Sequence, residues 1–397
     1  PYSGLYCVAC ELFYTEEELV DGLCPEHHIP PEEVEEDNYF FRLSRYADQL
    51  LQLIESDELR IVPQTRKNEV TSFIRMGLGD FSVSRTFERA RGWGIPVPGD
   101  PAQVMYVWFD ALTNYINALG YAGETDLYRQ FWLENPNRFH VIGKGILRFH
   151  AVYWPAMLLS AGVPLPSTIL VHGYITARGT RMSKTLGNVV NPADLVARYG
   201  TDPLRYFLLA KIPPFDDSDF TLERFVDVHN SELADQLGNL LSRVTAMVDR
   251  YCSGKVPAPR EAEEPDAALE QAARSTPGKV AEAMDRFAFH EAVGAIWDLV
   301  SEANRYVVVR EPWNLAKQMD SNPAAAAALD TCLYSLVEVL RLVAGLAQPF
   351  IPGSSAEIAR QIGAPLPEDW SGVTWGGLPR GARVVSGESL FPKIELE

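Results

Sequence analysis

Three cysteines and a histidine lie close together at the start of this 397-residue chain. Cys7 and Cys10 are separated by two residues, and Cys24 and His27 repeat that spacing further along. Thiolates and an imidazole in such pairs are typical of tetrahedral Zn²⁺ sites, and four protein ligands leave no open position for a substrate. We therefore expect a structural zinc ion. His28 is a competing fourth ligand, and the alternative is a set of buried thiols with a chance histidine.

A second candidate group is the run of residues 181–188, which combines two cations with two hydroxyls. It follows a predicted strand and a glycine-containing turn, so it is expected to form a loop. Such a loop can close over an anionic ligand such as a triphosphate, with Lys184 as a point charge on phosphate oxygens. A preorganised donor of this kind contributes about 10²–10³ in rate. The alternative is a solvated basic loop.

Apolar runs at residues 104–109, 139–142 and 168–175 predict buried strands, and residues 111–119 and 146–160 predict helices between them. This alternation predicts a parallel α/β sheet that binds ligands at the carboxyl ends of its strands.

The second half of the chain shows helical spacing of apolar residues, which predicts an all-α bundle. Residues 253–265 form a Pro-rich, charged linker, and Cys252 and Cys332 are expected to be small core residues. The remaining predicted elements are helical spacing at 38–56, helices at 233–251, 279–309 and 324–347, and a short strand at 390–394.

Composition excludes a disordered chain, because 47% of the residues are hydrophobic. Five cysteines do not make a disulfide scaffold, and no apolar run approaches the ~18 residues of a membrane helix, so a soluble cytoplasmic protein is expected. The net charge of −18 argues against a binder of the phosphate backbone. This charge is uneven, since residues 1–60 hold 15 acidic and 3 basic residues.

Taken together, these motifs resemble the bacterial methionyl-tRNA synthetases with one zinc knuckle, which are class I aminoacyl-tRNA synthetases. The signature loop of that class, Lys-Met-Ser-Lys-Ser, stands here as Arg-Met-Ser-Lys-Thr. Further matching stretches follow in the family's order: residues 6–27, 93–98, 106–115, 140–158, 171–188 and 311–318.

The resemblance implies three parts. Residues 1–37 would be a zinc-knuckle insertion, and residues 38–215 the C-terminal part of a Rossmann-type α/β catalytic domain. Residues 216–397 would be an α-helical anticodon-binding domain with a C-terminal strap.

The resemblance also assigns site residues, each of which has a plainer alternative. Without the resemblance, the aromatic residues would be interpreted as core residues and Arg85 as a solvated surface charge. Asn239 and Arg243 would be interpreted as a solvated pair, and Trp313 as a packing residue. Methionine binding is implied for Trp108, Ala111, Leu112, Tyr115, Ile146, His150 and Trp154. ATP binding is implied for His172, Gly173, Arg181, Met182, Ser183, Lys184 and Thr185. Lys184 and Arg85 would be catalytic, and Asn239, Arg243 and Trp313 would read the CAU anticodon.

The implied activity is that of a methionine–tRNA ligase, which uses ATP with Mg²⁺ and acts on initiator and elongator tRNAs. Two alternatives stay open. One is a non-catalytic tRNA-binding paralogue, and the other is a paralogue that makes amides without tRNA. The family's C-terminal dimerisation domain has no counterpart in these residues, so a monomer is expected.

Two departures from the family pattern stand out. The chain contains no His-x-Gly-His motif, whose histidines hold the ATP phosphates in the family, and Gly145 stands where the family has an aspartate. We therefore expect a fragment or a split-gene subunit, with an unpaired apolar edge on its sheet and a separate N-terminal synthetase fragment as a possible partner.

We expect the 397-residue chain alone to form no methionyl-adenylate, because the histidine side chains that hold the phosphates are missing from it. Methionine-dependent exchange of pyrophosphate into ATP measures this directly. Exchange above that of a sample without methionine would contradict the expectation.

Overall fold

The computed structural model describes residues 2–8, 12–25, 28–123, 125–182, 187–379, 381–385 and 387–395. The chain divides into two compact units, Pro1–His172 and Gly173–Glu397. The expected domain boundaries after residues 37 and 215 stay predictions. Within the described residues, every helix is too short or too polar to cross a membrane.

The first unit is built on a parallel sheet whose middle strand is Thr168–His172. The strand predicted over residues 168–175 thus ends earlier than expected, and Ile175 already belongs to the separate strand Ile175–Ala177. Phe139–Gly143 and Arg60–Val62 pair with the middle strand on either side. The first four residues of the middle strand are buried, as is usual for a parallel strand covered on both faces. Among the described strands Phe139–Gly143 is an edge, and it exposes the side chains of Phe139 and Val141.

The connection between the two long parallel strands is helical but not one continuous α-helix. A 3₁₀ turn at Lys144–Ile146 leads into a π-helical turn at Phe149–Tyr153, and an α-helix follows at Trp154–Ala161. The helix predicted over residues 146–160 is therefore confirmed in place, and it is α-helical only from Trp154. Periodicity does not distinguish one turn of π-helix from an α-helix.

Short antiparallel strands and further helices complete the first unit. The strands are Tyr2–Cys7, Leu12–Tyr14, Glu32–Glu36, Phe40–Phe41, Phe81–Ser82, Ser84–Thr86, Pro96–Val97 and Asp100–Met105. The α-helices are Ala47–Glu55, Gln64–Arg75, Val107–Asn117 and Asp126–Tyr128, and the shorter helical turns are Glu16–Glu18, Leu43–Tyr46, Tyr121–Gly123 and Arg129–Leu133.

Two predicted elements of this unit need correction. The strand predicted over residues 104–109 ends at Met105, and the next helix already begins at Val107. The helical spacing over residues 38–56 corresponds to an α-helix only from Ala47. Aromatic residues are accommodated in strands and in helices alike, so residue type places neither boundary.

The second unit is mainly helical around one large apolar core. Its α-helices are Pro192–Tyr199, Thr201–Ala210, Leu222–Val228, Asn239–Cys252, Glu264–Asp285, Phe289–Arg310, Pro312–Gln318, Pro323–Ala347 and Pro352–Ile362. A π-helix at His229–Gly238, a 3₁₀ turn at Trp370–Gly372 and the strands Ile175–Ala177, Thr180–Arg181 and Ser218–Asp219 complete the described elements.

The helix predicted over residues 279–309 is in fact two helices, because Phe287 takes a left-handed backbone conformation with φ of 57° and ends the first of them. The strand predicted over residues 390–394 does not form, and those residues are irregular. Cys332 is buried and Cys252 half-buried, as expected.

Candidate functional site

Helix Val107–Asn117 carries one wall of an aromatic cluster. Trp108, Leu112 and Tyr115 share a side of this helix because residues three and four apart lie on one face. They pack with Trp154 of the crossover helix in one apolar cluster. The structure thus brings together most of the side chains expected around methionine. The cluster also includes Ile146, while Ala111 is exposed on the same helix.

A hydrogen-bonded pair joins this wall to the π-helical turn. The Tyr115 hydroxyl and Nε2 of His150 lie 2.7 Å apart, and Nδ1 of His150 lies 3.0 Å from the carbonyl oxygen of Ile146. A carbonyl only accepts, so we assign the proton to Nδ1, and the hydroxyl donates to Nε2. Burial lowers the pKa of His150, although the hydrogen bond to the carbonyl of Ile146 acts in the opposite direction. Burial raises the pKa of Tyr115. Both side chains are therefore neutral at neutral pH.

His140 is a second buried imidazole, which the sequence analysis does not single out. The indole N–H of Trp154 donates to Nε2 of His140 at 3.1 Å, and the rings of His140 and Tyr115 lie 4.2 Å apart. Burial and the nearby His150 lower the pKa of His140 to about 4. The feature that could have identified His140 is its position on the strand Phe139–Gly143, where it is buried between two exposed neighbours.

Phe149 extends the cluster from the π-helical turn, with its ring 4.1 Å from that of Trp108 in a stacked arrangement. Aromatic faces with neutral, already paired polar groups favour an uncharged, polarisable ligand such as a thioether, which makes weak but favourable contacts with rings. They disfavour a charged side chain, because burying a charge among apolar side chains is costly unless an opposite charge pairs with it.

Arg85 lies buried between two tyrosine rings, so the solvated charge that its type alone suggests is wrong. Its guanidinium carbon lies 4.4 Å from the ring centre of Tyr106 and 5.4 Å from that of Tyr6. Its Nη1 donates to the hydroxyl of Ser82 at 2.9 Å and to the carbonyl oxygen of Ser84 at 2.7 Å. Because both rings are distant in sequence, local composition could not reveal this burial.

A cavity of about 710 Å³ opens beside Arg85, within the range of small-molecule sites. Tyr106 and Phe149 line it, so the cavity adjoins the aromatic cluster. On another side, Arg148 pairs with Glu18 through Nη1 and Oε1 at 3.0 Å.

The expected zinc site is described in part. Cys7 ends the strand Tyr2–Cys7, and Cys24 follows a turn closed by a backbone bridge. Both cysteines are fully buried, which fits thiolate ligands of a structural metal. Cys10 and His27 lie outside the described residues. Among the described residues, no group of three or more potential ligands occurs.

The loop expected to bind ATP is also described in part. Met182 packs on the apolar cluster around Phe207, whereas Ser183, Lys184, Thr185 and the side chain of Arg181 lie outside the description.

A strand hairpin leads into this loop. Asp219 holds its turn, since its carboxylate accepts from the backbone N–H of Gly179 and the hydroxyl of Thr176, each at 2.8 Å. These bonds hold the pKa of Asp219 below its usual range. Asp219 is thus a residue that the sequence analysis missed.

His172 and Gly173, the other residues expected at ATP, lie at the boundary of the two units. His172 ends the middle strand of the sheet and is exposed. A Cβ on Gly173 would lie 2.2 Å from the carbonyl oxygen of Asp216, so this close approach of two backbones requires glycine.

The residues expected to read an anticodon lie on two helices of the second unit. Asn239 is exposed at the start of Asn239–Cys252, and Arg243 is half-buried one turn later on the same face. Within the described part of the chain, Arg243 forms no ion pair with a carboxylate. Trp313 is half-buried on Pro312–Gln318 and packs against the core of the unit.

Comparisons with known proteins agree with this fold. Residues 2–245 match the family described as tRNA synthetases class I (M), and residues 256–397 match the anticodon binding domain of methionyl tRNA ligase. A solved structure of Mycobacterium tuberculosis methionyl-tRNA synthetase in complex with methionyl-adenylate is similar, with a TM-score of 0.90 and 42% identity. That similarity covers 98% of this chain and 76% of the other. Fold and site together define a class I tRNA synthetase.

Individual relatives narrow the class. The methionine–tRNA ligase of Caldanaerobacter subterraneus subsp. tengcongensis is 46% identical over 100% of this chain and 61% of its own length. That of Brucella melitensis biotype 1 is 45% identical over 99% of this chain and 75% of its own length. The chain belongs to the methionine–tRNA ligase family. It spans about three-fifths of the first of these relatives.

The low pKa of His140 predicts a pH dependence of stability. Between its ordinary value of 6.5 and the folded value of about 4, the unfolded chain binds a proton that the folded chain does not. The free energy of unfolding therefore falls as the pH falls through this window. The variant His140→Gln keeps an acceptor for Trp154. Between pH 7 and pH 5, we expect its free energy of unfolding to fall by about 2 kcal/mol less than that of the wild type.

Urea denaturation followed by tryptophan fluorescence measures this difference. Val141→Ala, at an exposed neighbour on the same strand that carries no ionisable group, is the control and should keep the pH dependence of the wild type. Equal pH dependence in the wild type and His140→Gln would show that His140 is not held neutral.

Proposed function

We propose that this chain supplies methionine and tRNA recognition in a methionine–tRNA ligase, in which ATP activates methionine and the product is transferred to tRNA. By itself the chain is expected to form no methionyl-adenylate, because it contains no His-x-Gly-His motif. The observation that carries the proposal is the neutral Tyr115–His150 pair inside aromatic walls. The methionine thioether would lie against these rings, held by dispersion and sulfur–aromatic contacts. Because both polar groups are already paired, they offer no charge to a competing polar side chain.

Two displacements make up the proposed reaction. The methionine carboxylate attacks the α-phosphorus of ATP and pyrophosphate leaves. The terminal adenosine hydroxyl of tRNA then attacks the activated carbonyl and AMP leaves. Positioning and electrostatic stabilisation carry both steps.

The residues proposed to act on ATP lie on and around the signature loop. Lys184 would neutralise the leaving pyrophosphate, and Mg²⁺, when bound, would neutralise further phosphate charge. Arg85 is proposed to act at the activation site, where its stacking on Tyr106 supports a fixed position beside the cavity. Binding of ATP is also proposed for His172, Gly173, Arg181, Met182, Ser183 and Thr185.

We further propose that Cys7, Cys10, Cys24 and His27 hold one structural zinc ion. Burial of Cys7 and Cys24 supports this, because a thiolate in an apolar interior needs a cation beside it. The zinc would fix the fold of the knuckle.

Substituting Cys24 by serine should remove the metal, because serine is a poor ligand for zinc. We expect metal analysis of the purified chain to give about one zinc per chain for the wild type and less than ~0.2 for Cys24→Ser. Cys252→Ser, a half-buried cysteine of the second unit, is the control and should retain the metal. Full zinc content in Cys24→Ser would rule out the proposed ligand set.

For the second unit we propose recognition of the CAU anticodon by Asn239, Arg243 and Trp313. The side chains provide an amide, a guanidinium and an aromatic face. Readers of unpaired RNA loops use these groups to hydrogen-bond base edges and to stack on bases. The exposure of Asn239 and the absence of an ion pair at Arg243 among the described residues support this role.

Trp313→Ala tests the stacking contact. A base stacked on an aromatic ring contributes about 1–3 kcal/mol, so we expect affinity for a CAU anticodon stem-loop to fall by about five- to 150-fold. Trp313→Phe should lose less, and Trp370→Ala, a half-buried tryptophan packed on the same core, should bind like the wild type. Fluorescence titration with a labelled stem-loop gives the dissociation constants. Equal affinities for Trp313→Ala and wild type would contradict the assignment.

A further inference from the structure

One face of the helix Phe289–Arg310 donates hydrogen bonds to the π-helical segment His229–Gly238. The donors lie at positions 297, 301 and 304, a spacing that keeps them on one side of a helix. The bonds run from Trp297 Nε1 to the carbonyl oxygen of Glu232 at 3.3 Å, from Ser301 Oγ to Gln236 Oε1 at 3.4 Å, and from Asn304 Nδ2 to the carbonyl oxygen of Gln236 at 3.2 Å.

The bond from Asn304 bears directly on Asn239. The backbone N–H of Asn239 donates to the carbonyl oxygens of Ala234 and Gln236, and the oxygen of Gln236 is the one that also accepts from Asn304. Asn304 also donates to the carbonyl oxygen of Val300 in its own helix at 3.1 Å, which fixes the orientation of its amide. Both bonds come from Nδ2, so this one amino group links its own helix to the π-helical segment.

This contact lies where the helix changes type. The chain passes from π-helix to α-helix at Asn239, and backbone carbonyls change partners at such a junction. A small rotation there would turn every following side chain about the helix axis. Asn239 and Arg243 would swing together, because they share one face.

The same helix also leads to Trp313. Nη1 of Arg310 donates to Oε2 of Glu263 at 2.7 Å and so ties down the end of the helix. Glu311 then takes a left-handed conformation with φ of 44°, and the helix carrying Trp313 begins. Helix Phe289–Arg310 is thus connected to both groups that are proposed to read bases.

We propose that Asn304 is a positioning residue for base reading: by holding the carbonyl of Gln236, it sets the direction in which Asn239 and Arg243 meet an RNA loop. The proposal rests on the proposed anticodon recognition. Asn304 itself does not need to touch RNA.

The sharpest variant is Asn304→Asp, which has nearly the same shape but replaces the donating amide by a carboxylate facing a carbonyl. We expect this variant to bind a CAU stem-loop about five- to twentyfold more weakly than the wild type does. The affinity of the variant for the CAU stem-loop should then be close to its affinity for a stem-loop with one changed anticodon base. Ser301→Ala, on the same helix face, bonds only to a side chain and should stay within about twofold of the wild type. Asn304→Gln keeps a donor and should recover part of the loss.

The same titrations are repeated in the background of Asn239→Ala combined with Arg243→Ala. If Asn304 acts through these two residues, the effect of Asn304→Asp shrinks to about twofold or less in that background. An undiminished effect, or equal weakening of both stem-loops, would show a general role in stability and overturn the inference. So would a wild-type affinity in Asn304→Asp. A wild-type chain that does not prefer the CAU stem-loop would refute the proposed function, and the inference with it.

Discussion

A buried polar group without a partner costs about 1–3 kcal/mol, and this constraint shapes the aromatic cluster more than any single attraction does. Tyr115, His150 and Ile146 form a chain in which each donor has one acceptor. Trp154 and His140 form a second pair beside it. His140 can accept from Trp154 only as a neutral imidazole, because an indole N–H only donates. Burial lowers the pKa of His150 and so favours its neutral state as well. The resulting walls are uncharged, which suits the proposed thioether ligand.

The π-helical segments apply this constraint to the backbone. Phe149–Tyr153 inserts an extra residue into a turn and places both Phe149 and His150 toward the cluster. His229–Gly238 does the same in the second unit, where a carbonyl at its end accepts from Asn304. At Phe149–Tyr153 the side chain of His150 in the turn itself bonds to the carbonyl oxygen of Ile146. At His229–Gly238 the helix Phe289–Arg310 supplies donors to the backbone carbonyls. The position of a functional side chain therefore depends on residues far away in sequence.

This dependence explains which features the sequence could predict. The strand Phe139–Gly143 and its parallel pairing with Thr168–His172 follow from local patterns of β-branched residues, and the structure has them where they are expected. Asp100–Met105, expected in the same sheet, pairs antiparallel with other strands instead. Arg60–Val62, which the sequence analysis does not predict, is the third parallel strand. The burial of Arg85 depends on two tyrosines from other segments, and no local pattern contains it. His140 looked like an ordinary strand residue for the same reason. The helix break at Phe287 could not be predicted, because a non-glycine residue with positive φ does not change the hydrophobic periodicity of the sequence.

The charge of the chain also bears on the proposed RNA recognition. With a net charge of −18, the chain gains little from general attraction to phosphates. Several arginines of the second unit, including Arg274, Arg310 and Arg341, are already paired with carboxylates of the same unit. Arg243 takes part in no such pair among the described residues and lies one turn from the exposed Asn239. Under the proposed anticodon recognition, affinity has to come from a few well-directed contacts. Internal hydrogen bonds that fix this helix face would then contribute to recognition without touching RNA.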